Sequence, residues 1–475
     1  MSVHVDPNAL AAVERRMSEA GLPELSIRTF RHYFQELARG QTGLMPEAAI
    51  RPVQSVRSLS QLPEASDTAD SAIGRCVMIK LNGGLGTSMG LNQAKSLLPA
   101  REGLSFLELI ARQVLHLRRS TGQALPLLLM NSYNTEADSL ALLEAIPALQ
   151  AGQGEIPLSF LQHKVPRLLA DSLVPVSWPA EPHREWCPPG HGDIYTALVT
   201  TGLLDQLLGQ GYRWAFVSNA DNLGASLDEK ILALMAGEQI PFLMEVTQRT
   251  AADRKGGHLA LDQDGQLVLR ESAQCPDEDK DNFQDIDRHR YFNTNNLWLD
   301  LEALKIKLTE RQCVLGLPLI RNRKHVVPED PTTPAVIQAE TAMGAAIEIF
   351  EGAQIIEVPR RRFAPVKTTS DLLVLWSDRY RVNQASELVP VTEAPIKVDL
   401  DPAVYGQIDG FRSRFPAGAP SLIQATELVV RGDIHFGADV SISGRVHLHQ
   451  APGTERRISD GSMLKDVGDS PTDAD

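Results

Sequence analysis

The sequence predicts an α/β protein: a mixed, mostly parallel sheet with helices on both faces, followed by a C-terminal parallel β-helix. From Cys76 onward, short β-rich runs alternate with helical patterns: VMIKL (Val77 to Leu81), LLLMNS (Leu127 to Ser132), WAFVSN (Trp214 to Asn219) and FLMEVT (Phe242 to Thr247). Such alternation builds a sheet covered by helices. Towards the C-terminus, apolar residues recur at every sixth position. Leu422, Leu428, Ile434, Val440 and Val446 form one series, and Val430, Phe436, Ile442 and Leu448 a second. A hexapeptide repeat with apolar anchors marks a parallel β-helix, and about two coils fit the length available. Two alternating strands that keep step would produce the same series.

The elements follow in order. Residues 1–75 read as helices and polar connections, with Leu10, Val13 and Met17 at helical spacing. Residues 76–384 hold the alternating βα pattern. Within them, Ser105 and Glu108 form a capping-box pattern ahead of Leu107, Ile110, Val114 and Leu117, which marks an amphipathic helix. LALDQDGQLVL (Leu259 to Leu269) sets a glycine between two alternating runs, a hairpin signal. Residues 385–458 carry the hexapeptide series. From Ser459 the chain ends in SDGSMLKDVGDSPTDAD, a polar, acidic segment expected to be a flexible tail.

Composition narrows the function. The 475 residues are 43% hydrophobic and 22% charged, an ordinary globular balance. The formal net charge is -14 and the basic residues are scattered, so no footprint for nucleic acid is expected. An anionic ligand must then be met by a local group of donors. Cys76, Cys187, Cys275 and Cys313 are far apart and show no C-x-x-C spacing, which predicts neither zinc site nor disulfide framework and fits a reducing cytoplasm. The opening MSVHVDPNAL has no cationic segment followed by an apolar one, and no stretch of about 18 uncharged apolar residues occurs. Neither secretion nor a membrane span is expected.

The chemistry concentrates in VMIKLNGGLGTSMGLNQAKSLLPA, Val77 to Ala100. Gly83, Gly84 and Gly86 follow a strand directly, so bare backbone N–H groups can approach a phosphate, and Lys95 adds a point charge. Two familiar phosphate motifs are missed narrowly. GLNQAKS has Ala94 where a P-loop needs glycine, and GLGTSMG is one residue too long for the dinucleotide fingerprint. A purely structural tight turn would account for the glycines alone.

KLNGGLGTSMG, its lysine loop and GLSFLELI resemble the eukaryotic-type UDP-glucose pyrophosphorylase family. The likeness continues in order through MNSYNT, PPGHGDIYTAL, FVSNADNLGA, FNTNNLW, QAETAMGAAI and FAPVKTTSDLL. It implies a Rossmann-like, GT-A-like nucleotidyltransferase domain and a left-handed β-helix. The implied reaction is attack by the phosphate of glucose 1-phosphate on the α-phosphorus of UTP. That nucleophile is already anionic, so alignment and charge neutralisation suffice without a base. The alternative is a UDP-N-acetylglucosamine or broad-range UDP-sugar pyrophosphorylase. A non-catalytic regulatory relative would be expected to have lost the charged site residues.

The resemblance also assigns roles. Lys95 faces the triphosphate and Lys367 the phosphates at the reacting junction, though a lysine among small polar residues is otherwise simply exposed. Asp221, at a strand end, holds Mg2+, where an Asx turn is the bland reading. Gln162 reads uracil through its amide, with Leu81, Gly83, Gly84, Met130 and Gly190 around the nucleotide. His191 lies by the sugar phosphate as a binding residue, and Asn219, Gly257, Glu271 and Asn293 take the sugar hydroxyls. Three departures from the family pattern stand out: Cys187 for an aromatic, Ala220 for Ser and His258 for Thr. The last is expected to neighbour the sugar pocket. Exposed edges of the β-helix offer a surface for self-association.

Overall fold

The structure, a computed structural model, describes residues 6–64, 72–250 and 253–468. Helices α1 (Ala9–Glu19) and α2 (Glu24–Ala38) open it. α1 buries Ala9, Val13 and Met17 at helical spacing, with Leu10 half-buried. Together with Phe30, Phe34 and Leu37 of α2 they pack on Val165, Leu168 and Ile337.

The central sheet is mixed and has 11 strands among the described residues. Those that position the site are β1 (Cys76–Asn82), β2 (Leu127–Asn131), β3 (Ser159–Leu161), β4 (Trp214–Asn219), β5 (Phe242–Gln248), β6 (His258–Leu261), β7 (Leu267–Arg270), β8 (Tyr291–Asp300) and β9 (Gln354–Glu357). Across the sheet they run β9-β5-β8-β4-β1-β2-β3, with the β6–β7 hairpin attached to β8. Every pairing along this path is parallel except those of β8, which runs antiparallel to β4 and β5. The hairpin turns at Gly265, whose φ is +89°.

β1 alternates its side chains between two cores. Cys76 and Met78 face one, with Phe106, Leu107, Ile110 and Val114 of α3 (Phe106–Thr121); Val77 and Ile79 face the other, with Ile194, Ala197 and Leu198 of α4 (Ile194–Thr200). The period of two in a strand thus places helices on both faces. α3 starts at the anticipated capping box: Ser105 N–H donates to Glu108 Oε2 at 2.8 Å, and Glu108 N–H to Ser105 Oγ at 3.2 Å.

The N-terminal segment is more than helices and connections. Arg51–Pro52 pairs with β6, and Arg57–Ser58 pairs with β9. At the other end, β10 (Lys397–Leu400), β11 (Ser421–Arg431), β12 (Asp433–Phe436), β13 (Ser441–His449), β14 (Glu455–Ile458) and β15 (Met463–Lys465) form parallel ladders. Leu428 lies opposite Val446 and Val430 opposite Leu448, so members of each series stack three hexapeptides apart. All nine residues of the two series are buried. The expected flexible tail begins too early: β15 pairs with Ser441–Ser443 of β13 because its backbone completes that ladder. Residues 469–475 of the tail lie outside the described residues.

Candidate active site

The order β3-β2-β1-β4 reverses between β1 and β4, and ligands of open α/β sheets bind beyond the carboxyl ends of strands at such a reversal. Leu81 pairs there with Asn219 on one side and Met130 on the other. Just past β1, Gly83 lies against Gln162, so closely that a Cβ would come 2.9 Å from Gln162 Nε2. Gln162 is anchored by its N–H to Asn131 O at 2.8 Å. At Gly84 a Cβ would meet nothing within 4 Å, leaving that stretch of backbone open.

Gly84 O accepts from Lys95 N–H at 3.1 Å, folding the loop back on itself. The Lys95 ammonium then reaches Asp221 Oδ2 at 2.8 Å. Asp221 Oδ1 is buried without a hydrogen-bond partner, a costly state for a carboxylate oxygen unless a ligand completes it. Asp221 O accepts from Val366 N–H at 3.2 Å, bringing the neighbouring Lys367 to the same end of the sheet. The Lys367 loop is held by Asp371 Oδ2, which accepts from Lys367 N–H at 2.9 Å and caps α5 (Thr369–Trp376).

A third group lies beside Lys367. A Cβ on Gly257 would come 2.5 Å from Glu271 Oε2. Burial raises the Glu271 carboxyl above its ordinary value, while Lys367 and a hydrogen bond from Asn293 pull the other way. Asn293 sits where β8 bulges opposite Met244 and Val246, and Asn295 within that bulge takes φ +58°. A bulge re-aims a strand side chain, and asparagine tolerates the left-handed conformation.

The PPGHGD loop closes the ring. Gly190 has φ +81°, and a Cβ there would strike Thr341 O at 2.4 Å. His191 Nδ1 accepts from Met343 N–H at 2.9 Å, so the neutral ring carries its hydrogen on Nε2. Burial pushes its pKa down to about 4, which suits a hydrogen-bond donor and not a base near neutral pH. The adjacent Gly344 packs on Asn293, where a Cβ would come 3.2 Å from Nδ2. All the sequence-derived site residues therefore lie along one chain of contacts at one end of the sheet.

His258 does not face this site. It is fully buried, its ring stacked on His289 with centroids 3.9 Å apart and set against Phe283 at 4.9 Å. Alternation along β6 turns it away from the face that Gly257 presents. Cys187 is buried as well, and burial pushes its thiol up to about 12.

The UTP–glucose-1-phosphate uridylyltransferase family matches residues 27–443. The chain belongs to this family. The barley (Hordeum vulgare) uridylyltransferase is 39% identical over 413 residues, covering 86% of this chain and 84% of the relative. That of Saccharomyces cerevisiae is 41% identical over 414 residues, covering 86% and 80%. Among solved structures, a mutant UDP-glucose pyrophosphorylase from Leishmania major in complex with UDP-glucose is 43% identical with a TM-score of 0.91, covering 98% of this chain and 99% of that one. A Trypanosoma brucei UDP-glucose phosphorylase gives 44% and 0.90, covering 97% and 99%. The mixed α/β sheet flanked by helices is thus shared with nucleotidyltransferases of this family.

Beneath these groups lies a buried network that sequence reasoning missed. Arg362 grips Glu245 through two hydrogen bonds, 2.7 and 2.6 Å. Glu245 also accepts from Trp298 Nε1 and Asn296 Nδ2, each at 3.0 Å. Asn222 Nδ2 donates to Arg362 O, and its Oδ1 accepts from Gly224 and Ala364 N–H. Asn222 therefore ties the Asp221 loop to the segment leading to Lys367. Lys80 donates to Ser218 Oγ and Ala225 O at 2.7 Å. Burial, aided by Arg362 and opposed by Glu245, pushes its pKa down to about 7. The one available signal was Lys80 itself, a charge inside an otherwise apolar strand. Among the described residues, no helix is long and apolar enough to cross a membrane.

Proposed function

We propose that this chain transfers the uridylyl group of UTP to glucose 1-phosphate, releasing pyrophosphate and forming UDP-glucose. One observation carries the reading: Lys95, Asp221 and the Lys367 loop converge at the sheet reversal, beside a glycine turn with open backbone. Gly83 and Gly84 offer backbone to the nucleotide phosphates, and the Gln162 amide pairs with the uracil edge. Leu81, Met130 and Gly190 wall the nucleotide slot. Asn219, Gly257, Glu271 and Asn293 meet the sugar hydroxyls, and His191 donates from Nε2 to the sugar phosphate. Lys95 neutralises the triphosphate and Lys367 the charge developing around the α-phosphorus.

The unpartnered Asp221 Oδ1 fits Mg2+, which takes one or two carboxylates plus phosphate oxygens. The ion supplies charge neutralisation and alignment of the phosphates. Asp221 orients through Oδ1 while Oδ2 keeps Lys95 within reach. No step asks a side chain to remove a proton.

Four further readings belong to the same proposal. The main domain is Rossmann-like and GT-A-like. The hexapeptide region is a left-handed β-helix, supported by its in-step parallel ladders. Its last coil, where Met463 stands 77% exposed, is the surface for self-association, which a light-scattering mass would test. Four free cysteines agree with a cytoplasmic enzyme.

Turnover of UTP with a panel of sugar 1-phosphates tests the sugar. Glucose 1-phosphate is expected to react fastest, and faster turnover of N-acetylglucosamine 1-phosphate would overturn the assignment. EDTA is expected to abolish turnover, whereas an undiminished rate would remove Mg2+ from the site.

A further inference from the structure

A second charged cluster is buried beside the sugar side of the cleft, touching none of the groups assigned to substrate. His258 and Arg270 are cross-strand partners in the β6–β7 hairpin. Each is the chain neighbour of a sugar-side residue, Gly257 and Glu271 respectively. The cluster converges on Glu47, from the N-terminal segment. Its Oε2 accepts from Arg270 Nη1 at 2.7 Å, and its Oε1 lies 2.7 Å from Arg288 Nε and 2.9 Å from His289 Nε2. Arg270 also reaches Asp279 Oδ2 at 3.2 Å, and the same oxygen accepts from Glu47 N–H at 2.6 Å. Arg270, His258 and His289 are at most 1% exposed.

The contacts straddle Glu271. On its N-terminal side Arg270 is held by Glu47. On its C-terminal side Gln274 Oε1 accepts from Glu271 N–H at 2.9 Å, and Gln274 O accepts from Met45 N–H at 2.7 Å. Residues 45–47 thus clasp the Arg270–Gln274 turn from both ends. A buried guanidinium with only part of its partners is strongly destabilised, so removing the Glu47 charge should shift the turn.

We propose that Glu47 is a positioning residue for the sugar subsite: by holding Arg270, it fixes the Glu271 carboxylate against Gly257 and Asn293. The inference rests on the sugar-side reading of Gly257, Glu271 and Asn293. It gives the N-terminal segment a part in sugar binding that its distance along the chain conceals.

The test is steady-state kinetics of Glu47→Gln in the full-length protein. KM for glucose 1-phosphate should rise about tenfold, the scale of one lost charge-assisted hydrogen bond, while kcat and KM for UTP stay within about twofold. Equal deterioration of both KM values and kcat would mark a general structural role and overturn the inference. Glu271→Gln, measured alongside, separates the two claims. If it raises KM for glucose 1-phosphate and Glu47→Gln does not, the positioning role falls alone. If neither does, the sugar-side reading falls and takes the inference with it. Should Glu47→Gln fail to fold, Asp279→Asn, which removes the other partner of Arg270, carries the same expectation and the same refutation.

Discussion

His191 shows how one contact fixes a protonation state. Burial disfavours the charged ring, and with Nδ1 occupied by the Met343 N–H an added proton would also set two donors face to face. The unfolded chain takes up the proton near the ordinary value of 6.5, the folded chain only near 4. Stability is therefore complete above about pH 6.5 and falls as pH drops towards 4, by about 3 kcal/mol at most from this group. Urea midpoints at neutral pH and near pH 4.5 check this: His191→Gln should lose less than the wild type, and equal losses would contradict the assignment. His258 and His289, also depressed mainly by burial, contribute to both proteins alike. Gly190→Ala should reduce turnover about 100-fold, because a Cβ at 2.4 Å from Thr341 O must displace the loop, and misplacement of about 1 Å costs that much. Lys95, Asp221 and Gly83 stand out in the sequence through the resemblance, because a glycine turn or an aspartate at a strand end serves a purely structural turn as readily. His258 neighbours Gly257 in the chain, but that adjacency says nothing of which strand face a side chain takes, and its ring lies against His289 and Phe283.

Elements were legible where one pattern dominated. β1, β2, β4 and β5 are apolar runs, and the α3 capping box is explicit in Ser105 and Glu108. Ser105→Ala should destabilise the protein by about 1 kcal/mol, measured by urea unfolding, with kinetics unchanged. β8 was not read as a strand, since asparagines at 293, 295 and 296 oppose strand propensity. Their reason is the bulge, with Asn295 left-handed, Asn293 turned to the site and Asn296 bound to Glu245. Arg51–Pro52 and Arg57–Ser58 were invisible because two residues carry no periodicity. In the hexapeptide series, by contrast, Leu428 and Val430 lie opposite Val446 and Leu448 in a parallel ladder.

At the scale of the molecule, a chain of net charge -14 gathers Lys95, Asp221 and the Lys367 loop at one reversal of strand order, where the proposed function needs donors for two anionic substrates. Asn222, Arg362 and Glu245 lock the loops that bear Asp221 and Lys367, so charge is placed before substrate arrives. That network spans segments more than a hundred residues apart, and no local pattern could have revealed it. The most direct test of base-free catalysis by placed charge is UDP-glucose formation from UTP and glucose 1-phosphate by Lys367→Ala beside the wild type. In that variant kcat should fall at least about 100-fold while the fold, judged by its thermal midpoint, is retained. Wild-type kcat would contradict catalysis by placed charge.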